Sequence, residues 1–171
     1  MLKIWFYFLI LASVLYGCNK PTAQLPANKV LATDSLKEGL MAANELLIAG
    51  EDSILATLTK TRFSIMKKSE MGFWYSVSLH SKVGDTIKLL ETCTIKYKLY
   101  TLDKELLTEK TEKIILGKKQ TITGIEEAIK LIKTGDKVEA LIPWYLAYGI
   151  KGDGENIGAY TSVYAEIELR R

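Results

Sequence analysis

Few side chains in this sequence are placed to do chemistry. His80 is the single histidine, so a Ser-His-Asp relay would rest on that one residue, and a multi-histidine metal site is ruled out. Cys18 and Cys93 are the only cysteines. Cys93 sits in an alternating apolar–polar segment, where a small buried thiol is the expected reading. Asp153 and Glu155 stand in a glycine-rich loop, as calcium ligands do, but the acidic spacing of a calcium loop is absent and a solvated loop is expected. Neither a metal nor a cofactor is expected. What remains is a pair of phenols, Tyr97 and Tyr148, each a hydrogen-bond donor on a large apolar ring. Taken alone, either one fits a core tyrosine as well as a site residue.

Charge narrows the partners. The 23 basic and 20 acidic residues are spread along the chain with no basic block, so a nucleic-acid partner is not expected. The N-terminus points to a membrane instead. Lys3 precedes an apolar run over residues 4–16, too short to cross the roughly 20-residue hydrocarbon layer and suited to a signal-peptide core. Leu15-Tyr16-Gly17-Cys18 is similar to a bacterial lipobox. That similarity implies cleavage after residue 17 and lipidation of Cys18, leaving no intramolecular disulfide; a plain secretory signal with an incidental cysteine is the alternative. Each buried methylene contributes about 0.8 kcal/mol, so several acyl chains would anchor the protein. The localisation expected is the cell envelope, on a bacterial membrane and facing the periplasm.

The elements that must position the phenols follow from periodicity. Residues 1–17 read as the signal and residues 18–28, with two prolines, as a flexible tether. Residues 29–60 read as helical: Leu36, Leu40, Ala43, Leu47 and Ile48 recur at helical spacing after Asp34, Gly50 closes that segment, and a second short helix starts near Asp52 with Ile54, Leu55 and Leu58. These helices are expected to pack on the main domain. From Arg62 the period is two. Phe63 and Ile65, then Phe73, Tyr75, Val77 and Leu79, alternate with polar residues around a turn at residues 67–72. Cys93, Ile95, Tyr97 and Leu99 share one face of a long strand. A further strand is expected at residues 114–116, and Val138, Ala140 and Ile142, then Val163, Ala165, Ile167 and Leu169, mark two more. Thr123-x-x-Glu126 fits a capping box for a helix with an Ile125, Ala128, Ile129 and Ile132 stripe, closed by Gly135. One helix against about five or six antiparallel strands is an α+β fold spanning residues 61–171.

Residues 115–149 carry a more specific pattern: a strand, Leu116-Gly117, Thr121-Ile122-Thr123-Gly124 leading into the helix, Gly135-Asp136-Lys137, a strand, then Ile142-Pro143 and Ala147-Tyr148-Gly149. This resembles the C-terminal half of FKBP-type peptidyl-prolyl isomerases, and the wider resemblance runs from Phe63 to Leu169. It implies a half-barrel sheet wrapped around one helix. It also implies a pocket with Tyr97 and Tyr148 in its wall, the Tyr148 hydroxyl on a bound carbonyl and the Ile122 backbone N–H as a second polar contact. Thr121, Ile125, Leu107 and Ile157 fall on the remaining binding positions. The chain departs from the family's pattern at several of these. Ile125 replaces the pocket-floor tryptophan, Ala165 an inward phenylalanine, Leu107-Thr108 the Phe-Asp pair, and Gly158-Ala159 a proline pair. Since each aromatic wall buries about 150–250 Å², the implied pocket is wider and softer. The loop over residues 152–158 is similar to that of gliding-motility-associated FKBP-type lipoproteins.

The resemblance implies proline-containing polypeptide segments as partners and isomerisation of exported proteins as the activity. The other readings are a weak or inactive binding module of chaperone type and a structural part of an envelope machine, docking through the N-terminal helices or Trp144.

Overall fold

The computed structural model describes residues 28–63, 65–81 and 84–170; the signal, Cys18 and nearly all of the tether lie outside these. Two units are distinguished, residues 1–42 and 43–171. The element order is α1 (Asn28–Thr61), β1 (Lys67–Lys68), β2 (Trp74–Leu79), β3 (Thr92–Tyr100), β4 (Leu106–Ile115), α2 (Thr123–Ile129), β5 (Lys137–Ile142), a 3-10 turn (Trp144–Leu146) and β6 (Val163–Arg170). The strands form one six-stranded antiparallel sheet in the order β1-β2-β5-β6-β3-β4. This is the α+β arrangement that the alternating segments require.

The sheet is apolar on the face that meets α2. Cys93, Ile95, Tyr97 and Leu99 of β3, Val138, Ala140 and Ile142 of β5, and Val163, Ala165, Ile167 and Leu169 of β6 are all buried, together with Ile125, Ala128, Ile129 and Ile132. The opposite face carries a second cluster. Trp74, Leu141, Tyr164 and Tyr100 are successive cross-strand neighbours, and Phe63 stacks on Tyr164 with ring centroids 5.2 Å apart. Leu55, fully buried, seals this row. β5 is therefore apolar on both faces along part of its length.

Several local expectations are corrected. The helical segment is one element of 34 residues, and Gly50 lies inside it instead of closing it. A glycine costs about 1 kcal/mol in a helix interior, and the Leu55 anchor beyond it outweighs that. Phe63 and Ile65 do not lie in a strand. Phe63 donates its N–H to Leu58 at the end of α1, and Ile65 is exposed. The strand expected at residues 114–116 runs from Leu106, paired along all of β3. It was cryptic because it is an edge strand whose Thr108–Lys113 stretch is polar on both faces. Thr123 is not a cap: Ile122 takes the N-cap position in extended conformation with no side-chain cap bond. Glu126 reaches back to the Gly117 and Gln120 amides (3.2 and 3.0 Å), because a carboxylate this buried takes whatever donors face it. The helix ends at Ile129, and Gly135 belongs to the following turn, where its N–H donates to the Leu169 carbonyl.

Two glycines separate backbone propensity from packing. A Cβ on Gly50 meets no atom within 4 Å, whereas one on Gly124 falls 2.4 Å from Ile142 Cγ2. Gly50→Ala should therefore raise unfolding free energy by about 0.5–1 kcal/mol. Gly124→Ala should lower it by about 1–3 kcal/mol through overpacking. Urea unfolding followed by circular dichroism checks both signs.

Candidate functional site

The site is built from two segments that leave regular structure. The first joins β4 to α2. Its backbone is tied down by Glu126, as above, and by the Gln120 side chain, which accepts the Ile115 N–H at 2.7 Å. These ties set Thr121 and Ile122 at the start of α2, Ile122 with φ −63° and ψ 146°. The second segment follows β5. Pro143 opens the 3-10 turn; the Trp144 carbonyl then accepts from Ala147 (3.1 Å) and from Gly149 (2.9 Å). Tyr148 is thus held between two bonds to one carbonyl. Gly149 adopts φ +66°, which accounts for glycine after the tyrosine.

Tyr97 from β3, Thr121, Ile122 and Tyr148 line one surface concavity of about 410 Å³. Four of the seven sequence-predicted pocket residues therefore converge. The other three do not: Ile125 and Ile157 are sealed in the core, and Leu107 packs against it without lining the concavity. Burial is the reason. Ile125 belongs to the stripe that joins α2 to the sheet, and the loop over residues 152–158 folds Ile157 inward while Asp153 accepts the Glu155 and Ile157 amides. Thr108 pairs with Leu99 in the ladder, and Ala165 is buried between Leu99 and Ala140. Trp144, named above as a docking residue, is instead buried edge-on against Tyr145 and Tyr160.

The structure adds residues that the sequence reading missed. Lys110, Glu112, Lys119 and Gln120 complete the wall, and the Tyr97 hydroxyl donates to Glu112 Oε1 at 3.4 Å. Glu112 supplies a carboxylate to the concavity from mid-β4. Nothing in its polar edge-strand surroundings marks it; only the pairing of β4 along β3 brings it beside Tyr97. Burial, then the Glu112 charge, push the Tyr97 phenol up to about 12. Burial, then Asp153 and Glu112, also raise Tyr148. Both therefore stay protonated donors through neutral pH. Among the described residues, no protein acceptor takes the Ile122 N–H or the Tyr148 hydroxyl. Two donors of the lining residues, the Ile122 N–H and the Tyr148 hydroxyl, are thus unclaimed beside the second phenol, Tyr97.

Comparison with known proteins follows the same outline. Residues 79–170, just over half the chain, match the family model described as FKBP-type peptidyl-prolyl cis-trans isomerase. The chain is 26% identical over 107 residues to a probable FKBP-type peptidyl-prolyl cis-trans isomerase of Haemophilus influenzae, covering 61% of this chain and 44% of that protein. It is 38% identical over 50 residues to the macrophage infectivity potentiator of Trypanosoma cruzi, covering 29% of this chain and 26% of that one. The chain thus spans less than half the length of these relatives. Among solved structures, a peptidyl-prolyl cis-trans isomerase of Pseudomonas syringae pv. tomato aligns with a TM-score of 0.58 at 23% identity, covering 78% of this chain and 93% of that one. AtFKBP13 aligns with a TM-score of 0.57 at 19% identity, covering 61% of this chain and 96% of that one. At these identities the structural likeness establishes the fold.

The tyrosines make a pH prediction. Tyr97 has a folded pKa of about 12, above its ordinary value near 10, so its contribution to stability is complete below pH 10 and lost as pH rises through 12. Absorbance titration at 295 nm should show tyrosines that do not ionise until pH exceeds about 11, followed by unfolding. Glu112→Gln should move the Tyr97 midpoint only part of the way down, since burial is the larger cause.

Proposed function

The chain belongs to the FKBP-type peptidyl-prolyl cis-trans isomerase family, and from that premise we propose that it isomerises Xaa-Pro bonds at the concavity lined by Tyr97, Ile122 and Tyr148. The observation that carries this reading is the pair of open donors, the Ile122 N–H and the Tyr148 hydroxyl, on one wall beside the Tyr97 ring.

The chemistry needs no nucleophile. The roughly 18–20 kcal/mol barrier exists because amide resonance gives the C–N bond double-bond character. Resonance separates charge, so water favours the planar amide over the twisted one. Transfer of the proline ring from water to a partly apolar wall removes that preference. A donor that meets the carbonyl only after it has rotated adds binding specific to the twisted form. A thousandfold acceleration takes about 4 kcal/mol, within reach of desolvation plus two hydrogen bonds. Tyr148 supplies one donor and Ile122 the other; the Tyr97 ring forms the wall, with Glu112 fixing its hydroxyl. Thr121 lines the same wall. Ile125, Leu107 and Ile157 act from the core by supporting it and do not touch substrate.

On this reading the substrates are proline-containing segments of exported polypeptides, and Cys18 carries the lipid that holds the enzyme at the bacterial envelope, facing the periplasm. The apolar run before Cys18 supports the anchor. Among the described residues no helix is long and apolar enough to cross a membrane. The loop over residues 152–158 supports a place among gliding-motility-associated lipoproteins, with an envelope protein as a further partner.

A second reading is a binding module with slow turnover. The concavity wall favours it: Lys110, Glu112, Lys119 and Gln120 make it polar, and Tyr97 and Tyr148 are its only aromatic residues.

A protease-coupled assay on Xaa-Pro tetrapeptides separates the two. Isomerisation should exceed the uncatalysed rate and fall about 3–10-fold in Tyr148→Phe, the value of one hydrogen bond. Ile122→Pro should lower it at least as far, because φ −63° suits proline while the N–H is lost. A folded protein with no catalysis would refute the isomerase and leave the binding module. Labelling with radioactive palmitate in a bacterial host, abolished by Cys18→Ser, checks the anchor.

A further inference from the structure

We propose that Glu51 and Asp52, adjacent carboxylates on α1, are positioning residues for Tyr148. They brace the 3-10 turn from which that tyrosine hangs, so the N-terminal helix is part of the site's support.

Tyr148 hangs from the Trp144 carbonyl through the Ala147 and Gly149 amides, so its hydroxyl is only as well placed as Trp144. The other side of the Trp144 peptide is tied outward. Its N–H donates to Ser162 Oγ at 2.8 Å, and the Ser162 hydroxyl donates in turn to Glu51 Oε1 at 2.5 Å. Ser162 is buried, so its hydroxyl proton has a fixed use. The next residue of the turn, Tyr145, donates its hydroxyl to Asp52 Oδ1 at 2.8 Å, and Lys68 holds Asp52 Oδ2 at 2.7 Å. Burial and then Asp52 raise the Tyr145 phenol, which keeps it a donor. Two successive residues of the turn are therefore gripped by two successive residues of the helix.

The helix is itself fixed at this point. Leu55 lies four and three residues beyond Glu51 and Asp52, hence on the same face, and it is fully buried against Trp74, Leu141 and Tyr164. Burying Leu55 on the outer face of the sheet presents both carboxylates to the turn. Neither carboxylate lines the concavity, so both act only through the turn. Charged acceptors make shorter and stronger hydrogen bonds than neutral ones, which suits a brace more than a surface contact.

The catalytic part of this inference rests on the isomerase reading, and the test keeps the two apart. Glu51→Ala/Asp52→Ala is compared with the isosteric Glu51→Gln/Asp52→Asn, each also in a Tyr148→Phe background. Hydrogen exchange is followed at the Gly149 and Ile167 amides. We expect the alanine pair to lower kcat by about 3–10-fold with KM little changed, to have no further effect on Tyr148→Phe, and to be rescued by the isosteric pair. Gly149 exchange should quicken about tenfold or more while that of Ile167 in the core does not. Equal loss with and without Tyr148 would overturn the positioning role, as would unchanged Gly149 exchange. If the parent protein catalyses nothing, the isomerase reading fails, and Gly149 exchange alone decides whether the brace exists.

Discussion

The packing of α2 against the sheet is the constraint on which the rest of the structure depends. A seven-residue helix is not stable alone in water, since nucleation is costly and few bonds repay it. Here Ile125, Ala128, Ile129 and Ile132 are all buried against strands β3, β5 and β6. Burying each of the three isoleucines is worth about 1.5–3 kcal/mol, enough to hold the helix and with it the segment at its N-terminus. Ile122 and Thr121 take their places from that packing. Gly124 permits it, because a larger residue there would strike Ile142.

The site occupies the gap that this packing leaves. Both segments that form it lie outside the sheet ladder, so their backbone groups need other partners. Glu126 and Gln120 meet that need on the Ile122 side, the Trp144 carbonyl on the Tyr148 side. Among the described residues the Ile122 N–H and the Tyr148 hydroxyl have no protein acceptor, and both residues line the concavity. A rigid surround with two open donors is the arrangement that electrostatic catalysis asks for, because the donors need no reorganisation when charge on the carbonyl shifts. The same wall carries Lys110, Glu112 and Lys119, which distinguishes it from a uniformly aromatic pocket.

The second face of the sheet gives the fold its own character. A half-barrel wrapped on one helix needs only one apolar face, yet Trp74, Leu141, Tyr164 and Tyr100 run as a row across the other, closed by Leu55 and Phe63. The last turns of α1 are thereby joined to the strands that lead into the Tyr148 turn. Residues 79–170 match the family model; of this second cluster Leu55, Phe63 and Trp74 precede that stretch, and Tyr100, Leu141 and Tyr164 lie within it.

Much of this was readable from the chain. Period-two burial named β3, β5 and β6 residue by residue, because a strand half-buried in a core must alternate. The Ile125–Ile132 stripe named α2 for the matching reason at period 3.6. Tyr97, Tyr148, Ile122 and Thr121 came from motif and strand face, and they meet on one wall. Other features had no local signal. The polar length of β4 looks like loop, and Glu112 becomes a site residue only through cross-strand pairing. Glu126 satisfies a capping pattern in sequence but bonds elsewhere, since a carboxylate's partners are set by what surrounds it after folding. Gly50 reads as a stop until Leu55 is buried beyond it. Sequence by itself determined which residues of β3, β5, β6 and α2 face the core, because that follows from local period. Tertiary structure alone decided which polar groups meet, because hydrogen bonds between Glu51 and Ser162, or Tyr97 and Glu112, join residues that no spacing along the chain relates.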